Sequence, residues 1–380
     1  MVGSERSRDA FSRLAARSAQ SRRGLLQLAA ATAGLAVAAP RRVLAAKTMT
    51  WMGWQGYEVP IKTGSFLADN DVDFQPTFIS SNEEILTRLQ AGGAATDLVT
   101  MYFGYLPLMA ESDMIQPIEP ARVSLLDRLV PQFTGQPAIY HDGRLMGVPW
   151  NWGSLPLMYD PAVVPTAPES WLDVTKPEYQ GKVAMVDDPL SALMVWGTVV
   201  TDAEQGTILT REQLKQVIDF LIELKTRHAR AFFPSYGDMA EAFARSEVVI
   251  SAVGWEAVAV WAAQKGKTIA YTIPKEGTGL FMDCLVIPTG AADPDLAYKA
   301  INHIIAPEPQ VAFATDQSAG ITNLDAVPLL PDNLRASYQY DDLDSFLTKA
   351  RLYPLPPTES DGVIATYDDF LTEYQRLQKA

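Results

Sequence analysis

Apolar runs of strand length alternate with a helical segment in the region that follows residue 46. Three runs predict strands: residues 49–54 are apolar, residues 72–78 alternate between apolar and polar positions, and residues 97–101 form the third. Between the second and the third, Ser81 followed by Glu84 has the pattern of a helix capping box, and Gly92 with Gly93 ends the helix. This order of strands and helices predicts a parallel sheet.

The stretch from residue 248 to residue 288 repeats this alternation. It predicts a helix after Trp255 and three strands, at residues 248–253, 268–273 and 280–287. Trp255, Phe281 and Asp283 are predicted at the ends of these elements. Ligands of open α/β sheets bind in the crevice at strand ends, so these three side chains are candidates for a binding site.

Helical periodicity recurs in the rest of the chain. Thr210 with Gln213 predicts a capped amphipathic helix, and Asp238 is predicted to cap another. Two more helices are predicted, at residues 295–305 and at the C-terminal end, around residues 367–377. Residues 141–152 predict a hairpin followed by an extended crossing between lobes, and the fold class is α/β.

The N-terminus has the features of an export signal. Arg22 and Arg23 directly precede an apolar run at residues 25–39, which is too short to span a bilayer, and a small-residue pattern ends at Ala45. The arginine pair predicts twin-arginine export of an already folded chain. An N-terminal membrane anchor is the alternative, but the sequence favours cleavage near Ala45 and a periplasmic location.

Acidic residues outnumber basic residues in this sequence. The 380-residue chain has a formal net charge of -14, and removal of residues 1–45 takes away eight basic and two acidic residues and leaves -20. So acidic a surface argues against nucleic acid and anionic membranes as partners and mildly favours a cationic solute. The length allows two domains, and nothing in the sequence requires more than a monomer.

A carboxylate beside aromatic rings is suited to binding a cation. The ring faces carry negative charge, and the carboxylate supplies a charge-assisted hydrogen bond. Asp283 has Phe281 two residues before it, and Trp255 belongs to the same stretch. The alternative is that both aromatic residues are core residues and that Asp283 only ends a strand, and the stretch alone leaves this open.

Common enzyme signatures are missing from the sequence. It has no His-Glu-x-x-His, Gly-x-Ser-x-Gly or paired-cysteine motif, so no metal or cofactor is expected. The lone Cys284 lies within an apolar run, which favours a small buried residue over a catalytic thiol. The rival hypothesis is a secreted hydrolase or lyase that uses Asp188, Asp283 and Glu359 as acid and base groups.

Five segments in order along the chain resemble the periplasmic spermidine/putrescine-binding proteins of ABC importers. They are Trp54-Gln55-Gly56-Tyr57, residues 97–116, Trp171 with residues 176–188, residues 253–288 and residues 360–377. The most specific pieces are Lys176-Pro177-Glu178-Tyr179-Gln180-Gly181 before Asp187-Asp188, and Pro274-Lys275-Glu276-Gly277 before Met282-Asp283. Together they extend over nearly the whole chain after the export signal.

This resemblance implies a two-lobed type II periplasmic binding fold with hinge crossings and a central cleft. One lobe would consist of residues 46–151 plus 283–327, and the other of residues 156–280 plus 330–380. Ligand would lie in the cleft between them. Bound ligand would then select the closed arrangement of the lobes.

The resemblance also implies a set of ligand-binding residues, which are Trp54, Gln55, Tyr57, Tyr102, Asp188, Trp255, Phe281, Asp283 and Glu359. Three positions depart from the residue types of this family. Gly56 and Ser191 stand where polyamine binders have glutamates, and Ala319 replaces a pocket tyrosine. Each lost charge-assisted hydrogen bond weakens binding by about 1.5 to 3 kcal/mol. The departures therefore favour an amine smaller or less charged than the long polyamines.

The sequence predicts a solute-binding subunit of an ABC importer, which captures a polyamine or related cationic amine in the cleft and passes it to membrane permeases. It predicts no catalysis. The alternative ligands are other small solutes, namely an amino acid, an opine-like conjugate or a quaternary amine. A sensor that presents its ligand to a membrane receptor is a further possibility that the sequence leaves open.

Overall fold

The computed structural model describes residues 47–79, 81–92, 96–359 and 361–380. The predicted export signal at residues 1–45, with its cleavage near Ala45, lies outside these described residues. In the described part of the chain, no helix is both long and apolar enough to cross a membrane.

The strands of the described residues alternate with helices through most of the chain. In chain order, β1 to β14 are Lys47–Gly53, Val72–Phe78, Leu98–Tyr102, Tyr140–His141, Arg144–Leu145, Val148–Ser154, Leu157–Tyr159, Val183–Val186, Ala229–Phe233, Ile250–Ser251, Ala270–Thr272, Thr278–Val286, Gly320–Ile321 and Ala350–Leu352. The helices α1 to α14 are Val59–Lys62, Phe66–Asp69, Asn82–Gln90, Leu106–Glu111, Pro131–Thr134, Pro189–Thr201, Arg211–Arg227, Tyr236–Ala244, Glu256–Gln264, Pro294–Ile304, Pro307–Gln317, Asp332–Ser337, Leu343–Lys349 and Tyr367–Lys379.

The first sheet has the strand order β13-β6-β12-β3-β1-β2, and β14 pairs with the start of β12. Strand β1 is parallel to β2 and β3, whereas β12 is antiparallel to both β3 and β6. Every residue of β3 and β6 is buried. The apolar character of these central strands follows from burial on both faces of the sheet.

The second sheet has the strand order β11-β7-β10-β8-β9. Helices α6 and α7 pack beside it, and their contact includes the rings of Trp196 and Phe220, whose centroids are 5.0 Å apart. The Trp196 indole donates a hydrogen bond of 2.9 Å to the carbonyl of Ala252, just after β10. Helix α7 therefore belongs to the layer of the second sheet.

The chain passes from the first sheet to the second between β6 and β7, and it returns between β11 and β12. A later segment that the sequence analysis assigns to the second lobe has contacts with the first sheet. Tyr338, Tyr340 and Phe346 surround Trp152 of β6, with ring centroids 5.3, 5.9 and 5.9 Å from it. The lobe boundaries stay a prediction.

Two local predictions were wrong. Phe281 and Asp283 lie inside β12, not at a strand end, because residues 278–280 pair with β14 and extend the strand back to Thr278. Helix α8 begins after Ser235 and not at Asp238. The Ser235 hydroxyl accepts the backbone N–H of Asp238 at 3.1 Å, which makes Ser235 the N-terminal cap.

Candidate ligand-binding site

The carboxylate of Asp283 lies in the middle of the first sheet. In the strand register, Asp283 is directly opposite Asn151 on β6 and Tyr102 on β3. Residues directly opposite each other on neighbouring strands project from the same face of a sheet. An amide, a carboxylate and a phenol therefore form a row across three strands, and a register irregularity follows Asp283 in this row.

Asp283 is buried, with an exposed fraction of 5%. Its Oδ2 accepts a hydrogen bond of 3.1 Å from the Tyr57 hydroxyl, and it has no ion pair with any described residue. Burial raises the pKa of Asp283 to about 7, whereas the hydrogen bond from Tyr57 lowers it. A cation beside this carboxylate would favour its ionised form.

The turn after β1 positions Tyr57 over Asp283. The Tyr57 backbone N–H donates to the Trp54 carbonyl at 3.1 Å, and Gly56 within the turn has a positive φ of 94°. The Tyr57 ring packs edge-on against Trp150 and Phe313, at centroid distances of 5.2 Å each. Burial and the charge of Asp283 raise the pKa of the Tyr57 hydroxyl, so it stays a proton donor.

Gly56 has a backbone conformation that disfavours a side chain, and its nearest neighbour is the end of the Gln317 side chain. A Cβ atom at this position would lie 2.2 Å from the Gln317 side chain, at the end of α11. A glutamate at position 56 would thus need both a strained backbone and a displaced Gln317. The replacement of the family's glutamate by glycine at position 56 therefore agrees with the local backbone conformation.

Trp255 and Phe281 form an aromatic wall. Their ring centroids are 5.8 Å apart in an edge-on arrangement, and the ring of Tyr236 lies 6.1 Å from Trp255. Gly153 on β6 lies directly opposite Phe281, and a Cβ there would be 2.5 Å from the Phe281 ring. Glycine at this position lets the rings lie close to the strand.

Asp188 is the N-terminal cap of α6. Its carboxylate accepts the Ser191 backbone N–H at 3.2 Å, the Ser191 hydroxyl at 2.6 Å and the Tyr236 hydroxyl at 3.1 Å. It is half-buried and has no ion pair among the described residues. Asp188 therefore holds the start of the helix and also keeps a negative charge without a cationic partner.

Tyr102 lies on the strand beside Asp283 and is influenced by the charges of both carboxylates. Burial raises the pKa of its hydroxyl, and the charges of Asp283 and then Asp188 raise it further. The hydroxyl donates to the Tyr353 carbonyl at 2.9 Å. The structure thus brings together six of the predicted site residues, which are Tyr57, Tyr102, Asp188, Trp255, Phe281 and Asp283.

Three predicted site residues are not joined to this group. Trp54 is half-buried, whereas Gln55 and Glu359 are exposed. Among the described residues, the side chains of these three have no hydrogen bond, ion pair or ring contact with the six. Their role in ligand binding stays a prediction.

Asn151 and Tyr236 belong to the site but were missed from the sequence. Asn151 is fully buried, and neither atom of its amide has a hydrogen bond of ordinary geometry with a described residue. The buried indole nitrogen of Trp255 also has none. The signal for Asn151 was available, because Trp150-Asn151-Trp152 places one amide inside an otherwise apolar strand.

Comparison with known proteins shows that a protein-family model matches most of this chain. The model of a family described as bacterial extracellular solute-binding proteins matches residues 47–341. The chain is 26% identical over 301 residues to a spermidine/putrescine-binding periplasmic protein of Escherichia coli strain K12, which covers 78% of this chain and 84% of that protein. It is 24% identical over 330 residues to a putrescine-binding periplasmic protein of the same organism, with coverage of 81% and 87%.

Solved structures share the fold. A spermidine/putrescine ABC transporter substrate-binding protein from Streptococcus pneumoniae superimposes with a TM-score of 0.71 at 23% identity, covering 87% of this chain and 99% of that one. A lipoprotein of Treponema pallidum gives a TM-score of 0.70 at 16% identity, covering 87% and 99%. These likenesses confirm the predicted type II periplasmic binding fold.

Proposed function

Because the chain belongs to the family of bacterial extracellular solute-binding proteins, we propose that it captures a polyamine or related cationic amine at Asp283. The bound amine is passed to the membrane permeases of an ABC importer, and the protein breaks no bond in the process. The names of the curated relatives, which refer to spermidine and putrescine, support this ligand class.

The observation that carries the proposal is the environment of Asp283. This carboxylate is 5% exposed and has no cationic partner among the described residues. A buried charge is costly unless it is paired, so burial of Asp283 without a cationic partner favours the protonated acid and raises its pKa. An ammonium group that enters beside Asp283 supplies the missing positive charge and lowers this pKa again.

Neighbouring groups support an amine over a simple metal ion. The faces of Trp255 and Phe281 suit an alkylammonium, whose methylene groups are apolar and whose charge is attracted to aromatic rings. The Asn151 amide, which has no hydrogen bond of ordinary geometry among the described residues, offers an oxygen to an ammonium N–H. The described residues contain no cluster of three or more groups that could hold a metal ion.

The number of unpaired carboxylates bears on the size of the ligand. Asp283 and Asp188 each lack an ion pair with a described residue, and Tyr102 is influenced by both. At the turn, Gly56 adds no carboxylate, and the neighbouring Glu58 already forms an ion pair with Lys62. Two carboxylates match two ammonium groups, which favours a short diamine such as putrescine over a longer polyamine.

The experiment is a thermal-shift comparison of ligand classes on the chain from residue 46 onward. Putrescine, spermidine, a zwitterionic amino acid, glucose and succinate are each added to the wild type, to Asp283→Asn and to Asp202→Asn. Asp202 is a matched control, because it is exposed at the opposite end of α6 from Asp188, about 20 Å away for a helix of this length.

We expect an amine to give the largest shift. At a hundred times its dissociation constant a ligand stabilises the folded protein by about 2.7 kcal/mol. The shift is expected to be lost in Asp283→Asn and kept in Asp202→Asn. A larger shift with glucose or succinate, together with normal binding by Asp283→Asn, would overturn the proposal.

A further inference from the structure

The carboxylate of Glu83 accepts hydrogen bonds from two tyrosine hydroxyls. Tyr105 donates to Glu83 Oε1 at 2.6 Å, and Tyr367 donates to the same oxygen. The two hydroxyl oxygens are 2.8 Å apart, so the three groups form one compact cluster. Glu83 has no ion pair with a described residue, and no part of the proposed function uses it.

Two members of the cluster belong to the layer of the first sheet. Glu83 is in the first turn of α3, the helix that connects β2 to β3. Tyr105 follows β3 by three residues. The hydrogen bond between them is therefore made within one layer.

The third member, Tyr367, is fastened to the layer of the second sheet. It is the first residue of α14, and α14 is held against α7 by an ion pair of 2.6 Å between Arg376 and Asp219. The Lys225 ammonium on α7 also donates to the Leu377 carbonyl at 2.8 Å. The bond from Tyr367 to Glu83 consequently joins the two layers of the molecule.

The cluster adjoins the candidate site. Aromatic rings connect them, since Tyr102 lies 6.3 Å from Tyr105, and Tyr105 lies 6.2 Å from Tyr367. The charge of Asp188 also raises the pKa of Tyr367, after the larger effects of burial and of Glu83. A change in the spacing of the two layers would separate Tyr367 from Glu83.

We propose that Glu83 and Tyr367 are positioning residues, which hold the two layers together over the bound ligand and so slow its release. Tyr105 orients the Glu83 carboxylate from its own side and does not cross the cleft. The inference rests on the proposed function, because closure over a ligand requires that a ligand is captured.

The charge state of Glu83 makes this contact strong. Burial opposes its ionisation, but the hydroxyls of Tyr105 and Tyr367 outweigh that effect and hold the pKa of Glu83 below its ordinary value. Burial, together with the neighbouring Glu83, raises the pKa of both tyrosines, which therefore keep their protons. Hydrogen bonds from a neutral hydroxyl to a carboxylate are shorter and stronger than neutral ones.

The test compares two phenylalanine variants that each remove one hydroxyl from the same carboxylate. Putrescine release is measured by stopped-flow fluorescence for the wild type, Tyr367→Phe, Tyr105→Phe and Glu83→Gln. We expect Tyr367→Phe to raise the release rate about tenfold, the effect of one charge-assisted hydrogen bond. Tyr105→Phe should change it by less than about threefold, and Glu83→Gln, which keeps an acceptor, should fall between them.

Equal effects of the two phenylalanine variants would overturn the proposal, because they would indicate a local structural role. A second outcome would also overturn the proposal: a lower affinity of Glu83→Gln for putrescine together with an unchanged release rate in Tyr367→Phe. This result would indicate that Glu83 contacts the ligand itself. Thermal unfolding of each variant separates lost stability from lost closure.

A second measurement needs no ligand, so that failure of the closure contact and failure of the proposed function give different results. Spin labels at Thr87→Cys on α3 and Thr372→Cys on α14, both exposed, report the distance between the layers, and the native Cys284 is buried. Tyr367→Phe should broaden this distance distribution toward longer values, and Tyr105→Phe should leave it close to that of the wild type. Identical distributions in all three proteins would refute the contact, whereas absence of binding of both putrescine and spermidine to the wild type would refute the proposed function alone.

Discussion

Amine binding is expected to strengthen as the pH rises from 5 to 8, because the amine requires the ionised form of Asp283. Burial raises the pKa of this carboxyl to about 7 in the ligand-free protein. An alkylammonium keeps its charge over the same range, since its pKa is about 10. The pH dependence therefore reports on the protein and not on the ligand.

The magnitude follows from the fraction of protein that is competent to bind. The apparent dissociation constant equals the intrinsic value divided by the ionised fraction of Asp283. With a pKa of about 7, that fraction is about 1% at pH 5 and about 90% at pH 8. The affinity should therefore rise about 90-fold between these two pH values, which corresponds to about 2.7 kcal/mol.

Isothermal titration of putrescine in buffers of different ionisation enthalpy measures the same linkage directly. Binding should release about 0.9 proton per ligand at pH 6 and about 0.5 at pH 7, from the titration curve of a single group with the pKa of Asp283. Asp283→Asn should bind about 10 to 150 times more weakly at pH 8 and lose the pH dependence.

Glu256 supplies a matched control. It is a second buried carboxyl whose pKa is raised to about 7 by burial, but it accepts hydrogen bonds from the backbone N–H and hydroxyl of Ser154. Glu256→Gln should keep the proton release and the pH profile of the wild type. A dissociation constant that does not change with pH, or a loss of proton release in Glu256→Gln but not in Asp283→Asn, would refute the reasoning.

Three further predictions concern the ligand-free protein. Burial raises the pKa of folded Asp283 above its unfolded value, so the free energy of unfolding should fall by up to about 4 kcal/mol as the pH rises from about 4 to about 7. Urea titrations at several pH values measure this dependence. In Asp283→Asn, the contribution of Asp283 to the dependence of unfolding free energy on pH should be absent. Gly56→Ala should destabilise by about 1 to 2 kcal/mol in thermal unfolding, because of its positive φ and the contact with Gln317; an unchanged melting temperature would contradict this. Asp160→Ala should cost about 3 kcal/mol in urea unfolding, because it leaves Lys267, 2.6 Å away, without its partner; a cost below about 1 kcal/mol would indicate that solvent replaces the ion pair.

Elements with a clear period were predictable from the sequence. Strand β2 agrees with the prediction to the residue, and α7 begins after its Thr210–Gln213 capping box. Helix α6 was not predicted from the sequence. Its residues 191–197 are all buried, so apolar and polar positions do not alternate with the period of a helix. The periodicity of apolar residues indicates a helix only when one face of the helix is exposed to water.

Part of the candidate site was predictable from local chemistry, whereas Tyr57, Tyr102 and Asp188 were predicted as ligand-binding residues only from the family resemblance. Asp283, Phe281 and Trp255 share one stretch of sequence, so a carboxylate near aromatic residues could be recognised there. The contact between Glu83 and Tyr367 joins residues 284 positions apart, and no spacing rule records it. Asp188 was found as a binding candidate, but its bond with Tyr236 across 48 positions became visible only in the folded chain.

The central claim is that a cationic amine binds beside the Asp283 carboxylate. A carbon-13 NMR titration of the carboxyl groups, with Asp283→Asn used to assign the signal, measures its pKa in the free protein and in the presence of saturating putrescine. The account predicts a pKa of about 7 in the free protein and a decrease of about 3 units with the amine bound. An Asp283 pKa that is unchanged by saturating amine would contradict it.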